Sequence, residues 1–141
     1  MTPRWRAEAG SLNLELVILA PAILFILALV IAGGRVVIAD QAVTQAAAQA
    51  ARDAALQPTQ TAATATARSQ AASVLDGQGL GCAPQAVTVN AAALSAPAGQ
   101  PGTVRVTVRC TVKWSDLGLP GPGTRTLAAT GTAPVDTWSA K

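Results

Sequence analysis

Residues 16–34 read LVILAPAILFILALVIAGG, 19 positions without a charged side chain. At 1.5 Å per residue, a helix over this run is about 28 Å long, enough to cross the hydrocarbon core of a bilayer. Pro21 removes the amide that would bond the Val17 carbonyl, a change that membrane helices tolerate when neighbouring groups satisfy the freed oxygen. Pro21 is therefore expected to bend the helix rather than end it. Arg4, Arg6 and the initiator amine precede the run, whereas Arg35 stands alone in the stretch that follows, which favours a cytoplasmic N-terminus.

The same run also has the form of a secretory signal peptide cleaved after Ala32 or Ala39, each with Val two positions earlier. Glu15 argues against that reading. A carboxylate at the very start of an apolar run is costly unless it has a role, and a signal peptide normally places a basic residue there.

The composition sets further bounds. The chain has 141 residues, half of them hydrophobic, which allows one small domain beside the apolar segment. Only 12% of residues are charged, aromatics make up 3%, and there is no histidine or tyrosine, so a nucleophile paired with an activating base has few candidates. Neither an enzyme nor a bound cofactor or metal is expected. The net charge of +3 comes from scattered basic residues without a Lys/Arg run or aromatic interleaving, which speaks against nucleic-acid binding.

Downstream of the apolar run, residues 35–57 are rich in Ala and Gln and contain neither Gly nor Pro until Pro58, so the first helix should continue to about Gln57. Val36, Val43, Ala47, Ala50 and Ala54 recur at helical spacing, and Ala46-x-x-x-Ala50 permits a partner to approach closely. An Ala-rich helix solvated on all sides has the same composition. A second helix is predicted from Thr59 to Leu75, ended by the glycines at 77, 79 and 81.

Beyond Cys82 the period becomes two. Val87 and Val89 alternate with Thr88 and Asn90, and Val104, Val106, Val108, Cys110, Val112 and Trp114 alternate with polar residues, so Trp114 is expected in the core. A third strand is predicted over Thr124–Val135, with Pro134 at its end or edge. The Pro/Gly-rich stretches 95–102 and 117–123 fit connecting loops. The fold class is thus α+β: a long membrane-spanning helix continuing outside, a shorter helix, and a small antiparallel sheet of about three strands whose apolar face packs on the helix.

Both cysteines follow the apolar run, which suits an oxidising compartment across the membrane, and their spacing fits no metal motif. A Cys82–Cys110 disulfide would tie the junction after the second helix to the sheet, worth about 3–4 kcal/mol in the chain-entropy model. Two free thiols, with Cys110 as a small core residue, are the alternative.

In the segment Ala9-Gly10-Ser11-Leu12-Asn13-Leu14-Glu15, a Gly precedes a residue that has Glu four positions later, and the apolar helix follows at once. A short basic leader, Gly before the cut, Glu at the fifth mature position and an apolar helix together resemble a type IV prepilin signal. The resemblance implies cleavage between Gly10 and Ser11 by a membrane aspartyl prepilin peptidase, with loss of residues 1–10. Gly10, lacking a side chain, would let the leader extend and the peptidase approach closely. The resemblance further implies that the new Ser11 amine faces the Glu15 carboxylate of a neighbouring subunit. An ordinary interfacial carboxylate near a helix start, favoured by the helix dipole, is the plainer role for Glu15.

With the Ala/Gln/Arg-rich helix and the Thr/Val-rich sheet added, the chain resembles the TadE-like family, minor pilins or pseudopilins of tight-adherence pili. The resemblance rests on Gly10 to roughly Arg52, with Leu16 standing where many members carry an aromatic residue. It implies a leader (1–10), a transmembrane and assembly helix (11–57) and a small extracytoplasmic domain (58–141), located in a bacterial inner membrane. The implied partners are a prepilin peptidase, other pilins and inner-membrane platform proteins. A membrane-anchored binding module or adhesin, using Thr-rich strands or Trp114 and Trp138, is the competing class.

Overall fold

The computed structural model describes residues 8–83, 85–97 and 99–136, with side chains of the first helix described from residue 16 onward. The elements are α1 (Glu8–Ala55), α2 (Gln60–Gly77), β1 (Gln85–Asn90), a 3₁₀ turn (Ala92–Ser95), β2 (Thr103–Lys113) and β3 (Thr124–Pro134). The α+β class, the shorter second helix and the antiparallel sheet of three strands in the order β1-β2-β3 are as the sequence predicts. Tryptophan 138 and the basic leader residues Arg4 and Arg6 lie outside the described residues.

The chain divides into two units at Gly34/Arg35. In the first, α1 runs through Pro21 without interruption. Its apolar side chains face outward: Leu16, Val17, Ile18, Leu24 and Phe25 are each 65% or more exposed. By length and composition this helix can cross a membrane.

The second unit takes in the rest of α1 together with α2 and the sheet. Along α1, Ala39, Val43, Ala46, Ala47, Ala50, Ala51 and Ala54 form a buried stripe two residues wide, recurring every three to four positions. This corrects the expectation that Ala46 and Ala50 offer a surface to a partner chain. Both are fully buried against the chain's own α2 and sheet, because the apolar faces of those elements have no other cover.

Pro58 cannot continue α1, and Thr59 starts α2 by accepting a hydrogen bond from the Ala62 amide at 3.2 Å with extended backbone. One buried residue per turn, Ala63, Ala67, Ala71 and Leu75, faces the core. The helix closes in a Schellman motif: the Leu80 amide bonds the Leu75 carbonyl, the Gly79 amide bonds the Asp76 carbonyl, and Gly79 takes φ +69°. Leu80 and Leu75 both pack in the core, supplying the apolar contact such caps carry.

On β2 the alternation is complete. Val104, Val106, Val108, Cys110 and Val112 are fully buried, while Arg105, Arg109 and Lys113 are exposed. Trp114 departs from this pattern. It is 38% exposed, because β2 stops at Lys113 and the chain turns there, laying the indole against Gly123.

A close backbone approach joins β3 to α1. Gly131, opposite Val106 in the sheet, lies so close to α1 that a Cβ there would run into the Ala47 carbonyl and the Ala48 amide. Backbone at that position cannot move aside without breaking helix or ladder hydrogen bonds. Gly131→Ala is therefore expected to destabilise the folded unit by about 1–3 kcal/mol, read from denaturant midpoints. Gly81→Ala, with open space around its Cβ, should change stability by less than about 0.5 kcal/mol.

Candidate functional site

The residues with a predicted functional role fall in three places. Gly10, Ser11 and Glu15 lie in the first turns of α1, where the backbone is helical from Glu8; the side chains of residues 8–15, that of Glu15 included, lie outside the described ones. The backbone at Gly10 is helical where the prepilin resemblance implies an extended leader, and cleavage at Gly10-Ser11 would require about one helical turn to open first. Glycine, the poorest helix former after proline, makes that opening less costly than an alanine there would. Ser11 and Glu15 stand four residues apart, which puts them on one face of the helix one turn apart.

Cys82 and Cys110 form a disulfide with Cα atoms 5.0 Å apart. Cys110 is fully buried at the centre of the sheet, in register with Gln85 on β1 and Leu127 on β3. The Ala83 amide donates to the Thr111 carbonyl at 2.9 Å, so the chain leaving α2 is held to β2 by a covalent and a hydrogen bond one residue apart. The bond closes a loop of sequence separation 28.

The face of the sheet turned away from the helices is a third feature, whose threonines the competing binding-module reading already names and whose cations it does not. Its rows follow from the register: Thr88, Thr107 and Thr130 in one, Asn90, Arg105 and Thr132 in another, and Ala86, Arg109 and Ala128 between neighbouring rows. Thr107 and Thr130 share a hydrogen bond of 2.9 Å, and Thr111 and Thr126 one of 3.0 Å. Pairing the hydroxyls in this way leaves threonine methyls and the cationic heads of Arg105, Arg109 and Lys113 as the outward chemistry. Its signal was already in the sequence, in the odd-numbered residues of 103–113. The cations alone are hard to see there, because three of them spread over one strand do not form a run.

Between α1 and α2, Gln70 donates to the Asp53 carboxylate and Gln57 to the Asp53 carbonyl. These residues line a shallow groove with Leu56, Thr66 and Ser69; the Gln70 bond joins the two helices, and the Gln57 bond closes the end of α1 on itself. Among the described residues no group of three His, Cys, Asp or Glu side chains is placed to hold a metal ion.

For the disulfide, a non-reducing peptide map should join Cys82 to Cys110. The Cys82→Ala/Cys110→Ala chain should lose about 3–4 kcal/mol of stability; free thiols in protein isolated from its native source would contradict the bond.

No curated protein and no solved structure matches this chain. Residues 10–52 match the family described as TadE-like protein. That stretch holds Gly10, Ser11, Glu15, the apolar run and α1 as far as Arg52, so it is over its N-terminal third that the chain is similar to TadE-like proteins.

Proposed function

We propose that this chain is a minor pilin or pseudopilin, a structural component of a tight-adherence (Flp-type) pilus or a related secretion apparatus. The TadE-like match suggests a pilus-associated component, and the apolar helix suggests a single-pass membrane protein. The observation that carries the finer reading is the coincidence of Gly10-Ser11, Glu15 and an outward-facing apolar helix within one matched segment.

In this reading a prepilin peptidase cuts between Gly10 and Ser11. Because the cut precedes the apolar run, the mature protein keeps its anchor in the bacterial inner membrane, with its N-terminus cytoplasmic and its folded domain outside. The new Ser11 amine and the Glu15 carboxylate are then opposite charges at the start of an apolar helix. In a bundle of pilins, pairing the amine of one subunit with the carboxylate of the next removes two costly charges from lipid at once.

The burial of Ala46 and Ala50 changes where contacts with other pilins and the platform proteins fall. They run through the apolar residues from Leu16 to Gly34 and not through the alanine stripe. A second reading, a membrane-anchored binding module or adhesin, is favoured by one observation: the open sheet face with Arg105, Arg109 and Lys113 exposed. Charge reversal at these three positions would abolish binding to an acidic ligand in that reading and leave pilin assembly intact in the first.

The processing step is tested by intact-mass and N-terminal analysis after co-expression with a prepilin peptidase. The wild-type chain should begin at Ser11 and Gly10→Val should remain uncut. A mature N-terminus at Gly33 or Asp40 would instead establish signal-peptide cleavage. In the same system Glu15→Ala is expected to be cut normally and yet to lose crosslinks to partner pilins; full crosslinking would reduce Glu15 to an interfacial carboxylate.

A further inference from the structure

The turn between β2 and β3 has no part in the processing or assembly steps above, yet it is held by several backbone hydrogen bonds of its own. It reads WSDLGLPGPG over residues 114–123. The Trp114 amide bonds the Gly123 carbonyl at 2.9 Å, closing the loop at its base. The Leu117 and Leu119 amides both bond the Trp114 carbonyl, at 3.1 and 2.9 Å, so the segment 114–119 is folded back on itself. Leu117 is buried and serves as the plug that holds the turn to the core.

This turn packs on Arg35. Gly118 has φ +71°, and a Cβ on it would stand 3.0 Å from the Arg35 guanidinium and 3.6 Å from its Cδ. The turn 78–80 joins the same cluster, with Gln78, Gly79, Asp116 and Leu117 lining one small hollow beside Arg35 and Ile38. Arg35 is the first residue after the uncharged run, so chain connectivity puts it within one residue of the lipid boundary if that run spans a bilayer. What packs on Arg35 lies at that level as well.

The chemistry displayed there is that of a bilayer surface. Val37 and Ile38, just past Arg35, remain 56% and 61% exposed, an apolar patch that nothing in the described chain covers. Trp114, 38% exposed, keeps its indole flat against Gly123, where a Cβ would stand 2.7 Å from the ring. Tryptophan is enriched at lipid–water boundaries because its body is apolar and its N–H polar. Pro120 and Pro122 are exposed and add apolar surface, while Leu119 is half-buried against the core.

We infer that the β2–β3 turn is a membrane-contact surface, with Trp114, Pro120 and Pro122 resting in the headgroup layer of a phospholipid bilayer beside Arg35. This rests on the reading of residues 16–34 as membrane-spanning. The contact fixes the folded unit close to the lipid before any assembly, and extraction into a filament would have to break it.

The test uses the full chain in phosphatidylcholine–phosphatidylglycerol vesicles, with Trp5→Phe and Trp138→Phe leaving Trp114 as the sole tryptophan. Lipids brominated near the top of the acyl chain should remove most of its emission, lipids brominated near the chain end should remove little, and aqueous iodide should quench it weakly. A reference chain with Trp114→Phe and Leu24→Trp added reports on the span itself and should be quenched by the deep bromines. Quenching of Leu24→Trp by deep bromines while Trp114 responds only to iodide would overturn the turn proposal and leave the span standing. Failure of both tryptophans to respond to any brominated lipid would overturn both. Trp114 shielded from bromine and iodide alike would mean that protein covers it, which also contradicts the proposal.

Discussion

The close approach of an alanine-faced helix to a glycine in β3 is the constraint from which the rest of the second unit follows. Ala47 and Gly131 meet backbone to backbone, and that distance exists only because neither contributes a side chain longer than a methyl. At that distance the stripe from Ala39 to Ala54 can cover Val104, Val106 and Val108 with small residues, each giving little area alone but leaving few voids. Larger residues on either side would push the helix off the sheet and uncover the valines. The disulfide from Cys110 to Cys82 then holds the exit of α2 to the centre of the same sheet.

A consequence for function is that small residues at helical spacing here serve the chain's own core. The surfaces left for other molecules differ in kind. Residues from Leu16 to Gly34 present an all-apolar helix, which suits lipid and other apolar helices. The outward side of α1 between Gln41 and Arg52 is polar, with Gln41, Thr44, Gln45 and Gln49 exposed. The open sheet face is cationic and threonine-rich. Within α1 the apolar residues thus come first and the polar outward side follows, and residues 10–52, similar to TadE-like proteins, take in both.

Much of this was legible in the residues. Strict alternation in 104–112 marks a strand with one dry face, and Pro58-Thr59 marks a helix boundary because proline cannot continue α1 and threonine can cap α2. The glycines at 77–81 announced a helix end, although which of them takes the left-handed cap depends on hydrogen bonds that only the fold displays. Trp114 was misplaced for a definite reason: period-two counting has no means of sensing that the ladder ends one residue earlier. Ala46-x-x-x-Ala50 shows that something comes close and is silent about what, since the pattern is identical for a partner chain and for the chain's own sheet. Gly131 sat unremarked within a strand, and its importance lies in an approach between residues far apart in sequence.

The central claim is that residues 39–54 of α1 are part of the folded core rather than a free assembly surface. Native-state hydrogen exchange of the full chain in bilayers tests it most directly. The account predicts that the amides of Ala46, Ala47 and Ala50 open with the same free energy as those of Val106 and Val108, as one cooperative unit. Exchange of those helix amides by local fraying, while the strand amides stay protected, would contradict it.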